Sequence, residues 1–126
     1  MIYSFGEKEK ERLILNPTIK INQFDGNQLF VIEGKLSYGR TQSIKEVLIE
    51  AIDHESPAYV FDLTELKAID STGMGLFVTF LKYIENEKQV HLIIQKGFIK
   101  ELFHIAKLDQ LFIISENIED CKGESG

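Results

Sequence analysis

The chain has one cysteine and two prolines among its 126 residues. A single thiol, Cys121, cannot close an internal disulfide, which sets the chain apart from small disulfide-stapled secreted domains and fits a reducing cytoplasm. Basic charge is scarce as well, with 14 Lys and Arg against 20 Asp and Glu and a net charge of −6. A protein held by nucleic-acid phosphates would be basic, so this balance argues against a nucleic-acid partner. No stretch approaches the ~18 consecutive apolar residues of a membrane span. The opening Met1-Ile2-Tyr3-Ser4-Phe5-Gly6, followed by the mixed charges of Glu7 to Arg12, lacks the basic-then-apolar order of a secretory signal. The expected location is therefore the cytoplasm, with no membrane association. His54, His91 and His104 are scattered without ligand spacing and without a cysteine cluster, so neither a metal nor a cofactor is expected.

What the chain does have is apolar content, 44% of its residues, enough for one core of ordinary size. Asn16-Pro17 marks a boundary, after which Thr18 to Phe24 alternates as a half-buried strand. Asp25-Gly26-Asn27 is turn chemistry, so Gln28 to Glu33 returns as a hairpin partner, and Gly34 to Arg40 reads as a loop. Ser43 to His54 is an amphipathic helix with Ile44, Val47, Leu48, Ala51 and Ile52 on one face, and Ser43 with Glu46 has capping-box spacing. Ser56-Pro57 stops it. Ala58 to Leu63 is a short apolar run suited to a central strand, and Thr64 to Ile69 reads as a connection. Thr72 to Glu87 reads as the longest helix, with Met74, Phe77, Leu81 and Ile84 as its core stripe. Gln89 to Gln95 is a buried strand, Phe98 to Lys107 a third helix and Leu111 to Ile114 a last strand. Phe77, Phe80, Phe98 and Phe103 read as core. This order predicts an α/β fold with a mixed β-sheet: an N-terminal β-hairpin, then helices from β-α-β units joined by right-handed crossovers. It divides the chain into an extension over 1–17, a domain over 18–114 and a polar, frayed tail over 115–126.

The segment richest in chemical meaning is Asp70-Ser71-Thr72-Gly73-Met74-Gly75, between a strand-like run and a long helical one. A serine where a helix begins is exposed and lies close to unpaired backbone N–H donors. A phosphate there suits the helix N-terminus and changes the surface by roughly two negative units. Gly73 and Gly75 offer no side chain, so a partner's backbone can come close. The plainer alternatives are an N-cap role for Ser71, a cap within the first turn for Thr72 and a turn-closing side chain for Asp70. Asp62, at the end of a strand, is expected to be partly structural and able to bond the loop bearing Ser71.

In that order and spacing, Phe61-Asp62-Leu63, Ile69 to Gly75, Gly34-Lys35-Leu36 and Leu108-Asp109-Gln110-Leu111-Phe112 resemble a STAS domain, most of all the bacterial anti-sigma factor antagonists. The resemblance covers roughly Thr18 to Ile114. It implies partner switching in transcription regulation: the unphosphorylated antagonist binds an anti-sigma factor and frees the sigma factor. It further implies that the anti-sigma factor is an ATP-using serine kinase that modifies the residue after the motif aspartate, here Ser71. A metal-dependent serine phosphatase would reset the switch. The implied partner-binding residues are Asp70, Ser71, Thr72, Gly73, Met74 and Gly75, with Ser37 and Asp62 nearby. The family's loop usually reads Gly-Glu-Leu-Asp, whereas this chain has Gly34-Lys35-Leu36-Ser37, so two acidic positions carry a base and a hydroxyl. The extension Met1 to Pro17 is longer than such a domain needs, and the oligomeric state is left open.

Two other functions compete. One is a constitutive STAS scaffold or transport-accessory protein that binds its partner without phosphorylation. The other is an enzyme using Ser71, and this fails on spacing: a nucleophile elbow needs glycine two residues before the serine, where Ile69 stands. No Gly-x-x-x-x-Gly-Lys-Ser/Thr phosphate loop occurs either. The expectation is a binding module, not an enzyme.

Overall fold

A computed structural model describes residues 17–121; the readings for 1–16 and 122–126 lie outside the described residues. The hairpin forms as expected. Strand β1 (Thr18–Phe24) runs antiparallel to β2 (Asn27–Leu36), with Phe24 opposite Asn27. Asp25 and Gly26 turn the corner with φ of 55° and 84°, the double left-handed geometry of a tight hairpin. From β2 the sheet continues in parallel through β3 (Ala58–Asp62), β5 (Gln89–Ile93) and β6 (Ile113–Ser115), giving the order β1-β2-β3-β5-β6.

Strand β2 is longer than its apolar run suggests, and Gly34-Lys35-Leu36 belongs to it rather than to a loop. Its first part pairs with β3, and its end pairs with β4 (Leu66–Ile69), a strand in the segment expected to be a plain connection. The register slips between Gly34 and Lys35, where Gly34 takes φ 98°. This is a bulge at a residue that tolerates it.

Helix α1 (Thr41–Ala51) starts two residues before the expected Ser43, and the Ser43–Glu46 capping box does not form. The Thr41 hydroxyl instead donates to the Ser37 carbonyl at 3.1 Å. Ile44, Leu48 and Ile52 are buried, whereas Val47 is largely exposed. Helix α2 (Ser71–Leu81) matches α1 in length and stops well before Glu87. Beyond it the bonds tighten to three-residue turns, with Lys82 donating to Thr79 and Tyr83 to Phe80. Helix α3 (Phe98–Ile105) ends at a left-handed Lys107, φ 62°. Phe98, read as core, is 76% exposed because it opens α3 on the solvent side; Phe103 is fully buried.

All three helices pack on one face of the sheet, around Phe30, Tyr59, Phe61, Phe77, Phe80 and Phe103. Phe30 stacks on Phe61 at 4.9 Å, and Phe61 meets Phe77 and Phe80 edge-on at 5.2 and 5.0 Å. Such pairs each add about 0.5–1.5 kcal/mol beyond area burial. A buried Gln28 ties off the end of α1: its Nε2 donates to the Ala51 carbonyl and its Oε1 accepts from Asp53 N, both at 2.8 Å. The opposite sheet face holds a smaller cluster of Leu29, Val60, Ile93 and Cys121. Cys121 reaches it from a 3-10 turn over Ile118–Cys121, so the segment read as frayed packs on the sheet as far as Cys121. Among the described residues, no helix is long and apolar enough to cross a membrane.

Candidate functional site

The site grows from the end of β4. Asp70 follows Ile69 in extended conformation and caps α2: its Oδ1 accepts from Gly73 N at 3.1 Å. Its Oδ2 accepts from Tyr38 N at 2.9 Å, in the turn between β2 and α1. Asp70 N in turn donates to the Leu36 carbonyl at 3.2 Å. One residue therefore joins the β2–α1 turn to the start of α2. The N–H groups of Tyr38 and then Gly73 hold its carboxyl below the usual value of 3.8, because both bonds favour the ionised form.

Because Asp70 supplies the cap, Ser71 does not. Ser71 is the first residue of α2, exposed, and its hydroxyl makes no hydrogen bond among the described residues. Thr72 beside it is also exposed. The two glycines have different roles. Gly73 is buried, and a Cβ there would lie 2.3 Å from the Leu36 carbonyl oxygen and 2.8 Å from Ile69 Cγ1. It serves close packing of α2 on β2 and β4. A Cβ on Gly75 would meet nothing within 4 Å. Met74 packs partly against the core.

Gly75 opens onto a groove of about 490 Å³ between α1 and α2. Ser71, Thr72 and Thr79 line one side, and Tyr38 and Lys45 stand on the other. Tyr38 is 83% exposed. Among the described residues, Lys45 is the one charged side chain in the lining, and no carboxylate contributes. Sequence reasoning missed both residues. The available signals were an aromatic residue in the polar turn Ser37-Tyr38-Gly39-Arg40 and the polar face of α1 opposite its apolar stripe.

Two expected members stand apart. Asp62 Oδ1 accepts from Thr64 N at 3.0 Å and from the Thr64 hydroxyl at 2.7 Å. It closes its own turn rather than bonding the loop that bears Ser71. Ser37 contributes through its carbonyl, which accepts from Arg40 N and Thr41 Oγ1, and it does not line the groove. No cluster of potential metal ligands occurs among the described residues. No histidine lines the groove, and the Asp70 carboxylate is taken up by backbone N–H groups.

The STAS domain family model matches residues 18–121, and the chain belongs to that family. It is similar to the anti-sigma-B factor antagonists of Staphylococcus aureus and Staphylococcus epidermidis, 29% identical over 89 residues, covering 70% of this chain and 82% of the relatives. Among solved structures, an anti-sigma factor antagonist from Mycobacterium paratuberculosis superimposes with a TM-score of 0.76 at 16% identity, over 83% of this chain and 90% of that one. A protein from Shewanella loihica described as having a SpoIIAA-like fold gives a TM-score of 0.54 at 18% identity, with the same coverage of 83% and 90%. These structural likenesses carry the fold.

Proposed function

We propose that the chain is an anti-sigma factor antagonist that docks through the groove beside Ser71, and that phosphorylation of Ser71 turns docking off. The observation that carries this reading is the free, exposed Ser71 hydroxyl at the start of α2, left unused because Asp70 does the capping. The names of the staphylococcal relatives support the antagonist role. The anti-sigma factor acts as the kinase: Ser71 Oγ bonds to the γ-phosphorus of ATP, the β–γ bridging bond breaks, and ADP and the hydroxyl proton leave. A metal-dependent serine phosphatase hydrolyses the ester and restores binding. The chain is then substrate and ligand, not an enzyme, and acts in the cytoplasm.

The physics is local. The phosphate adds about −1.5 to −2 charge at a helix N-terminus, which tolerates it, so the fold persists. Inside an interface formed against the neutral hydroxyl, the same charge is desolvated without a prepared partner. Each ~1.4 kcal/mol so lost is tenfold in affinity. The test is binding of a purified anti-sigma factor to wild type, Ser71→Ala and Ser71→Glu, with and without ATP. Ser71→Ala holds the partner and takes up no phosphate, while Ser71→Glu binds at least about tenfold more weakly. Equal binding by all three overturns the switch and favours a constitutive scaffold.

A further inference from the structure

Beyond the phosphate, the groove carries its own charge instruction. The chain as a whole is acidic, with a net charge of −6, yet among the described residues the groove is lined by one cation and no anion. That cation, Lys45, is in no ion pair among the described residues. Its sequence neighbour Glu46 accepts from Gln42 Nε2 at 3.1 Å, and Glu46 and Glu50 line a separate cavity that Lys45 also borders. Lys45, Ser71 and Thr72 line the same space of about 490 Å³, large enough to admit a partner's side chains.

We infer that the groove receives an acidic segment of the protein partner, with a partner carboxylate paired to Lys45 beside Ser71. This rests on the proposed docking face and names the chemistry of what docks there. With Ser71 unmodified, Lys45 is the one charged side chain among the described lining residues, the Asp70 carboxylate behind Ser71 being taken up by the N–H groups of Tyr38 and Gly73, and Lys45 attracts such a segment. A phosphate of about −2 reverses the sign of the same lining. Lys45 would then face the chain's own phosphate as well as the partner's acid, so attraction turns to repulsion. The switch therefore reads as charge inversion in a single groove.

Two arms test this. In the first, ¹⁵N-labelled protein is titrated with a ten-residue glutamate-rich peptide and with a lysine-rich peptide of equal length, and amide shifts are followed by NMR. The acidic peptide is expected to shift Lys45, Thr72 and Gly75 at low salt, an effect that fades towards about 1 M salt as screening shortens and disappears in Lys45→Glu. Shifts at these amides from the basic peptide, or none from the acidic one, overturn the inference. In the second arm, Lys45→Glu binds the anti-sigma factor retained by Ser71→Ala about tenfold or more weakly, while Lys45→Arg binds like wild type. Equal binding by Lys45→Glu also overturns it. If Ser71 variants show no switching while the peptide arm succeeds, the proposed function fails and the groove's preference for acid stands.

Discussion

Asp70 grips Tyr38 and Gly73 at once, one carboxylate oxygen for each backbone N–H, at 2.9 and 3.1 Å. The residue before Ser71 thus positions the opposite wall of the groove. Asp70→Ala removes the cap and is expected to cost about 1 kcal/mol. Asp70→Asn keeps the cap but has a single carbonyl oxygen, so it releases Tyr38. Chemical denaturation gives the first effect, and faster hydrogen exchange at Tyr38 N–H gives the second. Because folding lowers this carboxyl's pKa, its stabilisation is complete above 3.8 and is lost as pH falls through the lower folded value.

Gly73 and Gly75 separate fold from function. Gly73→Ala forces a Cβ to 2.3 Å from a backbone oxygen, and is expected to destabilise by about 1–3 kcal/mol. Gly75→Ala meets open space and gains helix propensity, up to about 1 kcal/mol. It also narrows the groove, so it raises the melting temperature while weakening partner binding. Calorimetry and a binding titration on both variants check the contrast.

His91 stands on β5 with its Nδ1 buried and unpartnered among the described residues, and burial pushes its pKa below 6.5. Above 6.5 both folded and unfolded states are neutral there, so the group adds no pH dependence. As pH falls through that value the unfolded chain takes a proton that the folded one refuses, and stability drops. Urea denaturation between pH 7.5 and about 5 is expected to show this decline. His91→Leu is expected to flatten it.

Cys121 lies against Leu29, Val60 and Ile93, where burial pushes its thiol up to about 11. Thiolate is the reactive form, so alkylation by iodoacetamide at pH 8 is expected to be about 100-fold slower than in denatured protein. Mass spectrometry of timed samples reads the two rates.

The regular parts of this fold are written in local pattern. Hairpin, central strands and helix faces follow from the turn at Asp25-Gly26, the apolar run Ala58 to Leu63 and the spacing of Ile44, Leu48 and Ile52, whereas the half-buried alternation expected of Thr18 to Phe24 is not seen: Lys20 to Gln23 are all exposed, Ile21 among them. What pattern could not show depends on contacts distant in sequence. Strand β4 is four residues long and gains its identity from pairing with the end of β2. The Ser43–Glu46 spacing promised a cap, but the turn back to Ser37 started α1 earlier. At the site, Ser71 was legible as the exposed head of a helix, whereas Tyr38 and Lys45 join it only through folding. Gly73 looked like Gly75 in sequence, and only the approach of Leu36 distinguishes them.

Strand β2 changes neighbours at Gly34, leaving β3 for β4 over its last three residues. Leu36, which accepts from Asp70 and presses on Gly73, is therefore suspended from a short ladder of its own beside the aromatic core. The head of α2 is thus tied to the sheet through those few rungs and the bonds of Asp70. If Ser71 is the switch proposed above, its modification falls on this separately anchored corner and not on the ladder that carries the aromatic core.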